Sequence, residues 1–314
     1  MDKQLDHLFV LADRPDTKSE VITAPNYSYW RSVLRSFFSK KSNYFMLALL
    51  IIILIMSYIQ PIFSGFEALL RNHQAADMLN PQNWFLKPSW AHPFGTTSVG
   101  VDLFDYIWAG TKTSLSIALI ASAINITIGI AVGAAWGYSK AIDKVMTEVY
   151  NVISNVPFIL FVTIFMYIVG PGFWSLIGAM TITGWVGVAY FIRRQVIIIR
   201  DREYNLASRC IGTPLLRMLT KNILPYMTSV IVTLAANEIP SYISYEVFLS
   251  YIGVGIGAEN ASLGRMIQEN VQYMVVAGRS HVFWIPVAVA ALVTISLYVV
   301  GQNLADSSDP RTHM

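Results

Sequence analysis

Long apolar runs alternate with polar segments along this chain. Six runs offer the roughly 20 mostly apolar residues that a helix needs to cross a hydrocarbon core of about 30 Å. They lie at residues 44–63, 113–137, 149–170, 173–192, 227–250 and 282–304. A further stretch, 251–258, is too short to cross and rich in glycine, so it predicts a loop or re-entrant segment. The pattern predicts an all-α integral membrane protein with six transmembrane helices.

The composition supports a membrane protein. Of the 314 residues, 54% are hydrophobic and only 13% are charged, whereas soluble proteins are about 25% charged. A formal net charge of +3 is too small to indicate nucleic acid, so the expected surroundings are membrane lipid and no nucleic acid. The single cysteine, Cys210, leaves no possibility of an intrachain disulfide.

The distribution of basic residues predicts the orientation. If the N-terminus is inside, 17 of the 22 Lys and Arg residues lie on the inner side and 5 on the outer side, so both termini should be cytoplasmic. The polar residues 1–43 do not resemble a signal peptide, so the run 44–63 should remain as the first transmembrane helix. The predicted first helix is preceded by a cytoplasmic N-terminal segment, 1–43, and followed by an extracytoplasmic loop, 64–112. A five-helix core, 113–304, contains a cytoplasmic loop at 193–226 and an extracytoplasmic loop at 251–281. The chain ends in a cytoplasmic tail, 305–314.

The basic loop 193–226 has a readable local design. Gly212 is placed to end one short helix, Thr213 to cap the next, and Pro214 to occupy its first position. Pro225 predicts a break before the fifth span. Apolar residues able to press against a partner are Leu206, Cys210, Ile211, Leu215, Leu219 and Ile223. From the pattern alone, the loop could equally lie on the membrane surface with its basic residues near lipid headgroups.

Two carboxylates interrupt the fifth span. Glu238 and Glu246 are eight residues apart, about 80° around a straight helix, and could share a broad polar face. A carboxylate at membrane depth is costly and should face the bundle interior or water. With Asn237 they are the candidates for a translocation pathway. One interpretation is a proton or cation site. The other, which is favoured, is that each carboxylate faces a water-filled pathway or forms a hydrogen bond to a neighbouring helix.

Several motifs that would indicate an enzyme do not occur. The chain contains no GxxxxGK[ST], HExxH or GxSxG sequence and no Cys/His cluster. No catalytic residue and no metal site is therefore predicted. Gly129, Gly133 and Gly137 recur every fourth residue in the second span, which predicts the close approach of another helix.

Residues 202–225 resemble the cytoplasmic EAA loop of permease subunits from ABC importers. The family pattern EYVxAARxxG, followed about a dozen residues later by LP, stands here as EYNLASRCIG (203–212) and Leu224-Pro225. Five more matches follow the family order: AHPFGTTSVGVD (91–102), GYSKAIDKVM (137–146), GPGFW (170–174), EVFLSYIGVGI (246–256) with LGRMIQE (263–269), and NLADSSDPR (303–311). Together they resemble the dipeptide/oligopeptide/nickel permease family, and most of all the second permease of oligopeptide importers.

The resemblance implies a type I ABC importer permease in a bacterial cell membrane, non-catalytic and forming half of an oligopeptide pathway. The partners it implies are a homologous permease in a heterodimer, two cytoplasmic ABC ATPases and an extracytoplasmic peptide-binding protein that docks on the outer loops. ATP and Mg²⁺ would act at the ATPases, with no cofactor on this chain. Dipeptides and nickel chelates are alternative substrates within the family.

The resemblance also implies which residues couple to the ATPases. They are Glu203, Tyr204, Leu206, Ala207, Ser208, Arg209, Cys210, Gly212, Thr213, Pro214, Leu224 and Pro225. Leu206 stands in place of the glutamate that names the EAA motif, and Ser208 replaces the second alanine of that motif. Two competing hypotheses are a proton-coupled secondary transporter that uses Glu238 and Glu246, and a structural membrane protein whose loop recruits a partner without transport.

Overall fold

The computed structural model describes residues 28–66, 80–257 and 260–309. The N-terminal residues up to 27, the basic residue Arg71 of the predicted extracytoplasmic loop and the end of the tail with Arg311 lie outside this part. Regular structure within it is helical, apart from one isolated bridge between Thr96 and Asp102. The helices are α1 (Tyr29–Ser39), α2 (Lys41–Tyr58), α3 (Gln60–Ser64), α4 (Leu103–Tyr138), α5 (Lys140–Ser154), α6 (Phe158–Val169), α7 (Phe173–Arg200), α8 (Glu203–Cys210), α9 (Leu215–Arg217), α10 (Thr228–Tyr251), α11 (Leu263–Asn270) and α12 (His281–Ser308).

Four of the six predicted spans correspond to helices that are long and apolar enough to cross a membrane. These are α2 continued by α3, α4, α7 and α12. The predicted third span is a pair, α5 and α6, bent by 78° at a break that contains Pro157. If this pair is one span, the described residues contain five.

The predicted fifth span is the helix α10. Its 24 residues are long enough to cross, at about 1.5 Å per residue. It is not among the helices that composition alone identifies as spans, because Asn237, Glu238, Glu246 and several serines make it more polar than the other long helices. The prediction of six spans therefore stays a prediction at this helix.

Two helices are longer than the hydrophobic pattern predicts. Asp102 caps α4 by accepting hydrogen bonds from the backbone N–H groups of Phe104 (2.8 Å) and Asp105 (3.4 Å), so the helix begins at Leu103 rather than near 113. The helix α7 likewise extends past the predicted end of the fourth span at residue 192 and continues through Arg200. The first residues of the predicted loop 193–226 are thus helical, and the loop proper begins at Asp201.

Helices α4 and α7 pack closely along the predicted glycine stripe. A Cβ atom added at Gly129 would overlap Val188, and one added at Gly133 would overlap the backbone of Ala189. At Gly137 it would lie 2.7 Å from the carbonyl oxygen of Arg193. The expected close helix approach is confirmed.

The helix α10 lies against α4 and α12 and ends at the predicted glycine-rich loop. Gly253, with φ of +84°, donates its N–H to the Ser250 carbonyl at 3.1 Å, and Val254 donates to the Leu249 carbonyl at 2.9 Å. The described part of the stretch 251–258 beyond this turn is irregular, as predicted. The following helix α11 packs against α4, α10 and α12.

Candidate functional site

The loop after α7 turns back sharply at Gly212. This residue has φ of +84°, a left-handed conformation that glycine adopts without a steric penalty. Its N–H donates to the Arg209 carbonyl (3.0 Å), and the Thr213 N–H donates to the Ser208 carbonyl (3.2 Å). This pair of bonds satisfies the last carbonyls of α8 and fixes the reversal. The predicted helix end at Gly212 is confirmed.

The start of the second part of the loop differs from the prediction by one residue. Pro214 is extended, with φ of −67° and ψ of 153°, and its carbonyl accepts the first helical hydrogen bond from Met218 at 3.0 Å. Pro214 is therefore the N-cap and Leu215 the first helical residue. The side chain of Thr213 forms no cap, because it precedes the N-cap position.

From Leu215 the chain remains helical into α10 while its hydrogen-bond pattern changes twice. A π-helical turn at Met218–Ile223 is followed by a 3₁₀ turn at Leu224–Met227. Pro225 has no N–H to donate, which accounts for the change at this point. The predicted break before the fifth span is therefore a change of helix type rather than a gap. We refer to residues 215–227 as the second loop segment.

Buried side chains hold the second loop segment against the ends of α4 and α7. They form one apolar cluster made of Met218, Leu219, Ile223 and Met227 from the segment, with Ala134, Val188, Ile192, Val196 and Leu234. Leu219 and Ile223 were expected to supply an apolar face, and that face is turned inward. The cluster mechanically joins the loop to three long helices.

Polar contacts tie α8 to its surroundings. Asn205 is buried and donates from Nδ2 to the Ile199 carbonyl at 2.8 Å. Ser208, one of the two departures from the family pattern, accepts a hydrogen bond from Nδ2 of Asn222 at 3.1 Å. This bond crosses from the second loop segment to α8 and needs the hydroxyl that an alanine lacks. No periodicity in the sequence marked Asn205 or Asn222.

Basic residues hold the base of the loop. Arg200 donates from Nη1 to the Gly137 carbonyl at 2.7 Å, which joins the end of α7 to the end of α4. The guanidinium of Arg209 lies 5.0 Å from the ring centroid of Tyr138, at cation–π distance. A cleft of about 580 Å³ opens between these residues, lined also by Lys140 and Leu215.

An ion pair between half-buried side chains was missed by the sequence reasoning. Arg193 Nε lies 2.5 Å from Oδ1 of Asp143, and Nε1 of Trp136 donates to the same oxygen at 2.9 Å. These contacts join α4, α5 and α7 at one point. The only available signal was an acidic residue within the basic segment 137–146.

The side of the loop opposite the buried cluster is apolar and exposed. Exposed fractions are 85% for Ile211 and 74% for Leu216. Tyr204, Leu206 and Leu215 are also exposed, each above 39%, and no described residue covers this surface. Of the remaining predicted coupling residues, Glu203, Ala207, Arg209, Cys210, Gly212, Pro214 and Pro225 are exposed, and Ser208, Thr213 and Leu224 are half-buried.

The pathway candidates do not come together on one face. Glu246 is fully buried, and its Oε1 accepts a hydrogen bond from Ser250 at 2.9 Å. The hydroxyls of Ser114 on α4 and Ser262, the N-cap of α11, lie against the same carboxyl. Leu263 in turn donates its N–H to Ser114 at 3.1 Å. Glu246 therefore lies at a junction of three helices rather than on an open surface.

Asn237 and Glu238 lie nearer the surface of the bundle. Asn237 is exposed; it donates to the Thr233 carbonyl (2.8 Å) and accepts from Gln302 of α12 (2.7 Å). Glu238 is half-buried. One carboxyl is therefore enclosed and the other is not, and a role of Glu238 or Glu246 in a translocation pathway stays a prediction. Among the described residues, no three His, Cys, Asp or Glu side chains could hold a metal ion.

Comparison with known proteins gives consistent matches. Residues 125–314 match a family described as binding-protein-dependent transport system inner membrane component. The oligopeptide transport system permease protein AmiD of Streptococcus pneumoniae is 48% identical over 97% of this chain and 97% of its own length. The dipeptide transport system permease protein DppC of Bacillus subtilis is 32% identical over 98% of this chain and 93% of its own length.

A solved structure agrees at the level of the fold. The methionine ABC transporter MetNI in an inward-facing conformation matches 65% of this chain and 96% of the compared chain, with 20% identity and a TM-score of 0.51. The all-helical arrangement is thus that of a type I ABC importer permease.

Proposed function

Because this chain belongs to the family of binding-protein-dependent transport system inner membrane components, we infer that it is the permease subunit of an ATP-driven oligopeptide importer. The substrate class follows the relatives from Streptococcus pneumoniae and Bacillus subtilis, which are named for oligopeptide and dipeptide transport. The chain is a bacterial cell-membrane protein. Its relatives are transport permeases, so its own role is passage of the substrate rather than catalysis.

The importer assembled around this chain has three other kinds of component. A homologous permease forms the other half of the pathway, and an extracytoplasmic binding protein delivers the peptide. Two cytoplasmic ATPases bind ATP and Mg²⁺, and the energy of hydrolysis enters this chain only through contact. The closing of the ATPases then shifts the population between inward-open and outward-open arrangements.

The exposed apolar side of the loop carries this proposal. Ile211 and Leu216 lie at the outer side of the reversal, while the opposite side is held by the buried cluster of Met218 and Ile223. A surface of this kind, backed by a packed core, fits a groove on a soluble partner. A push on the exposed side moves α4, α7 and α10 together, because all three contribute to the cluster.

The two departures from the family pattern fit this arrangement. Leu206 is exposed at 41%, so it contacts the ATPase groove by apolar packing where the family's glutamate would use charge. Ser208 faces the second loop segment and bonds to Asn222. The departure at Ser208 therefore stiffens the loop, and the departure at Leu206 changes the chemistry of docking.

The test compares two substitutions that add the same charge at equally exposed apolar residues. Ile211→Asp changes the proposed docking surface, and Val275→Asp changes a residue that is 82% exposed between α11 and α12, on the predicted outer side. The measurement is the amount of ATPase subunit that copurifies with the tagged chain, followed by uptake of labelled peptide by the reconstituted importer.

Ile211→Asp should weaken the affinity of the chain for the ATPases by about 30-fold and so reduce the amount that copurifies. The substitution removes a central apolar contact worth about 2 kcal/mol and buries a charge in the interface. Val275→Asp should retain the ATPases fully. Equal retention by both variants would contradict docking at this loop. ATP-independent uptake that survives Ile211→Asp would favour a secondary transporter instead.

A further inference from the structure

The helix α1 precedes the first span and has no role in the function above. We propose that it lies in the headgroup layer of the cytoplasmic leaflet and binds anionic phospholipids. One side inserts apolar side chains between the lipids, and the adjacent side holds phosphate groups with arginine. This inference rests on the predicted orientation of the chain and not on coupling to the ATPases.

Three kinds of side chain divide the surface of α1. Tyr29, Val33 and Phe37 recur every fourth residue, and Val33 and Phe37 are buried against the protein. One position further along, Trp30, Leu34 and Phe38 form a second stripe, with exposed fractions of 55%, 50% and 38%. At about 100° per residue, this apolar stripe lies beside the buried one on the helix surface.

The next position along gives the basic stripe. Arg31 and Arg35 follow Trp30 and Leu34 and are exposed. Ser32 and Ser36 complete the circumference, and Ser39 follows Arg35 on the basic stripe. Protein contact, apolar surface and positive charge therefore succeed one another around the helix, which is the order required of a helix lying beside a bundle within a membrane interface.

The helix α1 is held in place at both ends. The hydroxyl of Tyr29 donates to the carbonyl of Ser308 at 2.8 Å, which satisfies a terminal carbonyl of α12. At the other end, Nδ2 of the buried Asn43 donates to the Phe37 carbonyl at 2.7 Å. Asn43 belongs to α2, so the start of the first span fixes the end of α1. The exposed apolar stripe thus has a defined position beside the bundle.

The apolar stripe continues onto the membrane-crossing helix. The rings of Phe38 and Tyr44 lie with centroids 5.4 Å apart, and Tyr44 and Phe45 at the start of α2 are 54% and 66% exposed. Since only Lys40 separates the end of α1 from the start of α2, this joined surface lies where the apolar span meets the headgroups. Aromatic side chains are favoured at that depth.

The charges beside the stripe select the kind of lipid. Lys40 and Lys41 follow α1, and both are exposed together with Arg31 and Arg35. None of the four forms an ion pair within the part of the chain that the structure describes. Four exposed cations at one membrane boundary favour anionic over zwitterionic phospholipid.

The first test measures what surrounds the apolar stripe. Phe38→Cys and Ser39→Cys are made separately in the assembled importer, with Cys210 replaced by serine so that each variant carries a single reactive thiol on this chain. Both positions are exposed. They lie at nearly the same level along the axis of α1 and about 100° apart around it. A nitroxide label at each is tested in liposomes for collision with oxygen, which concentrates in lipid, and with a water-soluble nickel complex.

Insertion predicts a ratio of oxygen to nickel collisions that is several-fold higher at position 38 than at position 39. A label at 38 that is shielded from both reagents would mean that protein covers the stripe. A label at 38 that collides freely with nickel would mean that the stripe faces water. Either of these two results would overturn the proposal.

The second test addresses the arginines. The relative association constant of spin-labelled phosphatidylglycerol over phosphatidylcholine is measured for the wild type, Arg31→Gln/Arg35→Gln and Arg31→Lys/Arg35→Lys. The glutamine variant should lose about 25-fold in this ratio at its lipid site, or about fivefold per cation, and the lysine variant should retain it. The same ratio in all three proteins would refute headgroup binding by this stripe.

Discussion

Ile223 belongs to the cluster that joins the second loop segment to α4 and α7, and it is completely buried. Ile223→Ala removes every side-chain carbon beyond Cβ. At about 0.8 kcal/mol per buried CH₂ and with an added term for the cavity, the expected loss is about 3 kcal/mol. This loss applies to detachment of the loop, because the detached segment is exposed to water on the cytoplasmic side of our proposed orientation.

A loss of about 3 kcal/mol raises the population of the detached loop about a hundredfold. Amide hydrogen exchange of residues 215–227, measured by mass spectrometry on the assembled importer, reports that population directly when closing is faster than exchange. Exchange in α4 and α7 should change much less. The exposed docking surface is unaltered, so the ATPases should remain bound while peptide uptake per ATP hydrolysed falls.

The matched control is Ile198→Ala, the same substitution at a residue of α7 that is 58% exposed. It should change exchange in residues 215–227 by no more than a few-fold, because it leaves no enclosed cavity. Unchanged protection in Ile223→Ala would refute the buried cluster as the attachment. Equal effects of Ile223→Ala and Ile198→Ala would also refute it, since burial would then not determine the result.

Two further predictions concern glycines. Gly133→Ala should destabilise the chain by about 1–3 kcal/mol, because the added Cβ would overlap the backbone of Ala189. The measurement is the unfolding temperature in detergent, which should fall. A Cβ added at Gly187 would have no neighbouring atom within 4 Å, so Gly187→Ala should be neutral or stabilising, and a change of the same sign in both variants would contradict the packing argument. Gly212→Val should reduce ATP-coupled peptide uptake, because valine in the left-handed conformation of this residue costs about 1–2 kcal/mol or more of strain. Gly212→Asn should retain uptake, because asparagine tolerates this conformation. Equal uptake by both variants would show that φ at this position is not limiting.

Much of the local structure of the loop could be predicted from the sequence. The end of α8 at Gly212 follows from the freedom of glycine in the left-handed region, which is a property of one residue. The offset at Pro214 arose because the φ angle that proline fixes is compatible with both the N-cap and the first helical position, and only the extended ψ of 153° places Pro214 at the N-cap. The close α4–α7 contact was also predictable, since a spacing of four glycine-bearing positions already defines a face of a helix.

The two carboxylates of α10 show what the pattern could not decide. Their spacing placed Glu238 and Glu246 about 80° apart, which is compatible with a shared polar face. Their environments depend on which helices pack on each side. The serines of α4 and α11 enclose Glu246, whereas Glu238 is only half-buried.

The sequence by itself determined the membrane class, the family resemblance and the position of the loop, because hydrophobic run length, composition and ordered motifs are properties of the linear chain. Only the tertiary structure decided which loop side chains are buried beneath α4 and α7 and which remain exposed. It also decided that α1 is tied between α2 and α12. Contacts between residues as distant as Tyr29 and Ser308 depend on the packing of whole helices, and no local pattern of polar and apolar residues specifies them.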